Sequence, residues 1–201
     1  MPVFAADTFV QKLIKMKVKL VFLFALTLSL AYGQGSFRTA SFSLTIKGTS
    51  SLHDWESQAK EVRANGAMTV EADGLKSIQS LTVDIPVKSI KSPKGSIMDN
   101  KTYDALKANS YANITFKLEK ASVNKKGDSY DINATGYLTI AGVTNKIDLY
   151  VRAKVGSDGT LTFSGSKKLK MTDYKVKSPT AFLGTMTTGD DIEIVFQLSM
   201  K

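Results

Sequence analysis

Apolar and polar residues alternate along most of this chain. Ile132, Ala134, Gly136, Leu138 and Ile140 share one parity, and Asp131, Asn133, Thr135, Tyr137 and Thr139 share the other. That is the pattern of a strand with one apolar face. It returns in Ile147, Leu149, Val151, Ala153 and Val155, set against Asp148, Tyr150, Arg152 and Lys154. The connection holds Gly142 and Asn145, so the two segments predict an antiparallel hairpin.

The rest of the chain repeats this motif. Phe42, Leu44 and Ile46 predict a first strand; a second begins near Leu52 to Trp55, breaks between Gln58 and Asn65, and resumes at Met68. Leu81, Val83, Ile85 and Val87 predict a third, with Pro86 suited to a strand's end, a bulge or an edge. Ile114, Phe116 and Leu118 predict a further strand whose parity slips before Ala121 and Val123, which indicates a bulge. Leu161 to Met171 and Ile192 to Met200 continue the alternation. One helix of about three turns interrupts it, with Met98, Thr102, Ala105 and Leu106 at helical spacing. Ser96 and Asp99 fit the spacing of a capping box at its start. About eight strands in sequence, short connections and one helix predict an all-β, eight-stranded antiparallel barrel, with a sandwich as the alternative.

Composition adds location rather than chemistry. The chain has 201 residues, 43% of them hydrophobic, with no cysteine and therefore no disulfide framework or lipoprotein anchor. Met16-Lys17-Val18-Lys19, the apolar run Leu20 to Leu30 and the small residues Ala31-Tyr32-Gly33 predict a cleaved export signal. The run is shorter than the roughly 20 residues that span a bilayer. Residues 1–33 are therefore read as a leader cleaved after Gly33, with translation expected to start at Met16, and residues 34–201 as the barrel domain. The expected location is periplasmic or secreted. Net charge is +9 for the whole chain. A basic excess survives cleavage, compatible with a solvated face or with transient contact to an acidic membrane surface.

Several segments together resemble the YceI-like family. They are Met98-Asp99 with Leu106, Tyr111 to Phe116, Ala134 to Thr144, and Gly189-Asp190-Asp191-Ile192-Glu193-Ile194. The resemblance spans essentially the whole mature chain. It implies a lipocalin-like barrel, exported to the periplasm, whose apolar tunnel holds a polyisoprenoid or similar long-chain lipid. Two departures bear on the ligand. Ala112 stands where the family often has proline, and Gly48 to Trp55 resembles only a subset of members.

The residues expected to line the lumen follow from parity: Phe42, Leu44, Val83, Ile85, Phe116, Leu118, Leu138, Leu149, Phe163, Ile194, Phe196 and Leu198. Trp55, the only tryptophan, either plugs an end or lines the tunnel. His53 is the only histidine. Asp54 beside it points to the opposite face of a strand, so the two form no local dyad, and His53 is expected at the mouth as a head-group contact. Lys167 falls on the apolar parity, where it either meets a polar head group or is turned to solvent by a bulge, the simpler account. No metal site and no cofactor are implied, because a second histidine, cysteines and a phosphate-cradling glycine loop are all missing. The lysine clusters lack stacking aromatics, so nucleic acid is not an expected partner.

The predicted function is that of an exported, non-enzymatic protein that sequesters or carries a long-chain lipid, an isoprenoid by resemblance. Two alternatives remain open: a hydrolase or isomerase using His53 with a distant carboxylate, and an outer-membrane barrel with its apolar face outward.

Overall fold

The alternating segments become long strands. The computed structural model describes residues 34–181 and 186–201. The expected leader, its cleavage after Gly33 and the start at Met16 lie outside the described residues. The strands are β1 (Gln34–Ser50), β2 (Trp55–Ala59), β3 (Arg63–Glu71), β4 (Gly74–Pro86), β5 (Ile90–Lys91), β6 (Asn113–Lys126), β7 (Ser129–Ile140), β8 (Val143–Val155), β9 (Leu161–Lys170), β10 (Thr180–Ala181) and β11 (Met186–Met200). One α-helix, α1 (Ser96–Ala105), lies between β5 and β6.

All pairings are antiparallel, and β11 returns to pair with β1, for example Phe42 with Leu198 and Ile46 with Ile194. The ring closes. Both β2 and β3 pair with β1, so they serve as one strand bent at residues 60–62, inside the interval expected from the sequence. The ring thus has eight members: β1, β2 with β3, β4, β6, β7, β8, β9 and β11. The expected eight-stranded antiparallel barrel is the observed one, not the sandwich.

Local details follow from residue chemistry. The β7–β8 turn is Ala141-Gly142, both at positive φ (49° and 83°), the two-residue form that matches strand twist. Asn145, expected in that turn, instead sits in β8 opposite Leu138. The bulge in β6 is where parity placed it, with the register skipping between Leu118 and Lys120. Pro86 ends β4, so its missing N–H costs no ladder bond within the strand.

The capping box does not form. Gly95, at φ 85°, is the N-cap and no side chain caps α1. The Asp99 carboxylate turns back to accept from Ser92 N at 2.7 Å and lies 3.3 Å from Lys91 Nζ. A nearly buried carboxylate is better satisfied by an ammonium and an amide than by the helix start alone.

The core is densest at the end of the ring that carries the β3–β4, β6–β7 and β8–β9 turns. Met68, Ile132, Ala153, Leu161 and Met200 are fully or almost fully buried there. At the β8–β9 turn Asp158 accepts from Thr160 Oγ1 (2.7 Å), Thr160 N (3.1 Å) and Lys201 Nζ (3.1 Å). These bonds, the Thr160 hydroxyl foremost, hold its carboxyl far below the usual range. Glu119 is lowered by Lys146 and Tyr137, and Asp190 by the hydroxyl and amide of Thr172. Carboxyls depressed by folding stabilise the protein above the unfolded value, about pH 4, and lose that contribution as pH falls through their folded values. The urea midpoint is therefore expected to be lower near pH 3 than near pH 7, and Asp158→Asn to narrow the difference. An unchanged midpoint in the wild type would contradict it.

Candidate functional site

Inward parity has two outcomes in this barrel. Near the turn-bearing end it makes packed core; beyond that it bounds a cavity of about 770 Å³. The volume is within the range of small-molecule sites. Every lumen residue expected from parity borders it. Phe42 and Leu44 come from β1, Val83 and Ile85 from β4, Phe116 and Leu118 from β6, and Leu138 and Leu149 from the β7–β8 hairpin. Phe163 of β9 and Ile194, Phe196 and Leu198 of β11 complete the wall. The outward positions Lys117, Glu119, Asp148 and Arg152 are exposed. That polarity is the reverse of a barrel facing lipid with its outer wall.

The lumen stays open because wall aromatics lie flat. A Cβ at Gly48 would come within 2.4 Å of the Trp55 ring, one at Gly136 within 2.5 Å of Phe116, and one at Gly165 within 2.9 Å of Phe196. Each ring covers a glycine on the neighbouring strand rather than reaching across the interior. Trp55 therefore lines the rim and does not plug it. Its indole nitrogen donates to Thr49 O at 3.0 Å.

The cavity opens at the end opposite the dense core, where the bordering residues Leu52, His53, Asp54 and Met98 are exposed. His53 sits on this mouth. Its Nδ1 contacts the Asp54 main-chain carbonyl at 2.8 Å, a main-chain oxygen rather than a carboxylate. Among the described residues no group of three His, Cys, Asp or Glu could hold a metal ion.

Lys167 corrects the bulge reading. The register of β9 against β11 runs unbroken from Leu161 to Lys170, so Lys167 keeps its inward parity opposite Ile194 and borders the cavity, half-buried. The ladder between β8 and β9 stops at the pair Val151 and Gly165. Lys167 Nζ donates to Asp148 O at 2.8 Å, giving a partner to a carbonyl beyond the end of that ladder. Ser57, 5% exposed, lies opposite Ile46, which is itself opposite Ile194. Lys167 and Ser57 thus mark one polar level, a single inward step below the Gly48–Trp55 rim.

Parity missed the parts of the mouth that are not strands. From α1 come Met98, Thr102 and Ala105, and from the segment after β9 come Met171, Tyr174 and Val176. The helical spacing of Met98, Thr102 and Ala105 was the available signal for the first group. Tyr103 secures α1: Lys91 Nζ donates to its hydroxyl at 2.6 Å, and that hydroxyl lies 2.9 Å from Lys88 O and 3.1 Å from Ile90 O. The bond to Tyr103, then the Asp99 carboxylate, raises the Lys91 ammonium above its ordinary value. A 3-10 turn at Met171–Tyr174 secures the second group. Asp190 accepts from Thr172 N (2.9 Å) and Oγ1 (2.6 Å), and Asn145 Nδ2 donates to Asp173 O (2.8 Å).

The segments that carry the family resemblance meet in space. A Cβ at Gly142 would fall 2.4 Å from the Tyr111 ring, so the Tyr111 segment covers the β7–β8 turn. The YceI-like domain family matches residues 30–200. No protein of curated function matches the sequence. Among solved structures, BcnA of Burkholderia cenocepacia is 22% identical with a TM-score of 0.61, the match covering 79% of this chain and 95% of that one. The YCEI protein of Campylobacter jejuni is 26% identical with a TM-score of 0.54, over 71% of this chain and 82% of that one. A polyisoprenoid binding domain from Saccharophagus degradans, implicated in plant cell wall breakdown, is 12% identical with a TM-score of 0.60, over 84% and 99%.

Proposed function

The chain belongs to the YceI-like family, and from that membership we propose that it is an exported, non-enzymatic protein that sequesters or carries a long-chain lipid, an isoprenoid, in its barrel lumen. The observation that carries this reading is the apolar cavity of about 770 Å³, open at one end and walled by the inward faces of the strands. Each ligand methylene moved there from water contributes about 0.8 kcal/mol before ordering costs. The likeness to a polyisoprenoid binding domain supports an isoprenoid over a compact ligand.

The tail lies among Phe116, Leu138, Leu149, Phe163, Phe196 and Leu198, and the head group sits at the level of Lys167, within reach of His53 at the mouth. An ammonium beside an apolar tunnel is best satisfied by a ligand oxygen, which supports a tail-first orientation. Residues 1–33 serve as the export leader, and the barrel acts in the periplasm or outside the cell.

Native mass spectrometry of the protein purified from its own envelope, followed by organic extraction and lipid identification, is the test. A bound long-chain lipid is expected, and Lys167→Met should weaken retention by more than the small loss of stability that follows from removing its bond to Asp148 O. A protein that carries no extractable lipid and takes up no added isoprenoid or fatty chain would overturn the proposal.

A further inference from the structure

We propose that the mouth of the barrel docks on an anionic phospholipid bilayer, with Leu52, Ile97 and Met98 entering the interface. Among the described residues Ile97 (74% exposed) and Leu52 (67%) are the most exposed large apolar side chains, and Met98 is also exposed. A single exposed leucine needs no explanation. Here the apolar side chains come from two separate segments, the β1–β2 connection and the first turn of α1, and Leu52 and Met98 both border the same opening. The opposite end of the ring carries polar turns tied to one another, as by Lys125 Nζ on Asp73 O at 2.8 Å.

Charge identifies the partner. Around α1, the segment from Lys88 to Lys107 holds five lysines, Lys88, Lys91, Lys94, Lys101 and Lys107, against two acids, Asp99 and Asp104. Across the mouth, the exposed Lys175 and Lys177 flank Val176, which borders the cavity. The acids on this face are Asp54 and Glu56 at the rim, Asp173, and Asp190 and Asp191, with Lys170 paired to Asp191 at 2.9 Å. Positive charge is in excess on the α1 side of the apolar tip, beside Ile97 and Met98. That combination suits the negative surface of a bilayer, where lysine stems lie along the head groups while short apolar side chains enter. A protein partner would have to cover the same opening without the negative surface. That a lipid cargo would pass through the docked mouth rests on the function proposed above; the docking itself does not.

The test is flotation of residues 34–201, which contain the closed ring and both hydrophobic clusters, with two kinds of vesicle. One kind is phosphatidylcholine alone, the other equal parts phosphatidylcholine and phosphatidylglycerol. The wild type should float with the anionic vesicles and be released by high salt. Leu52→Asp with Ile97→Asp, and separately Lys94→Glu with Lys107→Glu, should each reduce flotation about tenfold or more. Both pairs should leave the melting temperature unchanged. Equal flotation with neutral and anionic vesicles, or variants that float like the wild type, would overturn the docking surface. The lipid content of the same preparations reports separately on the cargo.

Discussion

Gly136→Val is expected to destabilise the barrel by about 3 kcal/mol or more, a loss of roughly 6–12 °C in melting temperature for a domain of this size. The reason is what a side chain would meet. A Cβ at this position lies 2.5 Å from the Phe116 ring and 2.6 Å from Lys117 O. The ring could swing away into the lumen, but the carbonyl belongs to the β6–β7 ladder and cannot move without breaking it. Gly165→Val should cost less, because its Cβ contacts are 2.9 Å to Phe196 and 3.0 Å to Tyr150 O. Ser122→Val, on an exposed position of β6, should change little. The order of the three melting temperatures is the measurement, and equal values would remove the close-approach argument.

Leu149→Asp should strip the lipid and spare the fold, whereas Phe163→Asp should lose both. Both side chains point inward and both border the cavity. Phe163 is 5% exposed and packed into the dense cluster, so a carboxylate there has neither water nor a partner. Leu149 is only half-buried, and it faces space large enough for water to solvate a carboxylate when the lumen is empty. Adding an alkyl chain would remove that water, an unpaired-charge cost that should reduce lipid retention about tenfold or more. Leu149→Met conserves volume and should keep both properties. Lipid per protein, quantified by extraction beside a thermal melt, separates the outcomes. Full retention by a folded Leu149→Asp protein would show that the ligand does not occupy this part of the lumen.

The wall of the barrel was legible in the sequence because strand parity is a local property. Phe42, Phe116, Phe163 and Phe196 could be assigned to one interior without knowing which strands were neighbours. Parity could not separate core from lumen. Ala153 and Leu149 share one parity on β8, yet one is 0% exposed and the other borders the cavity, a difference set by depth along the barrel. The glycine–aromatic pairs were equally hidden, since Gly165 meets Phe196 only through the β9–β11 register. Ser96 and Asp99 had the spacing of a cap, but Ser92 N and Lys91 competed for the same carboxylate. The rim after β9 depends on Asn145 reaching Asp173 and Asp190 reaching Thr172, contacts no local pattern announces.

The ladder between β1 and β11 has a consequence in time. It joins the first described strand to the last, Phe42 to Leu198, so the ring cannot close until β11 has been made. Pairing over such a sequence separation places the protein among slow folders, on the scale of milliseconds to seconds. Until β11 arrives, β1 and β9 both present open edges along which another unfinished chain could pair. Aggregation during synthesis or refolding should therefore track the delay in adding the final strand, and a chain cut short before residue 186 would never leave that exposed state.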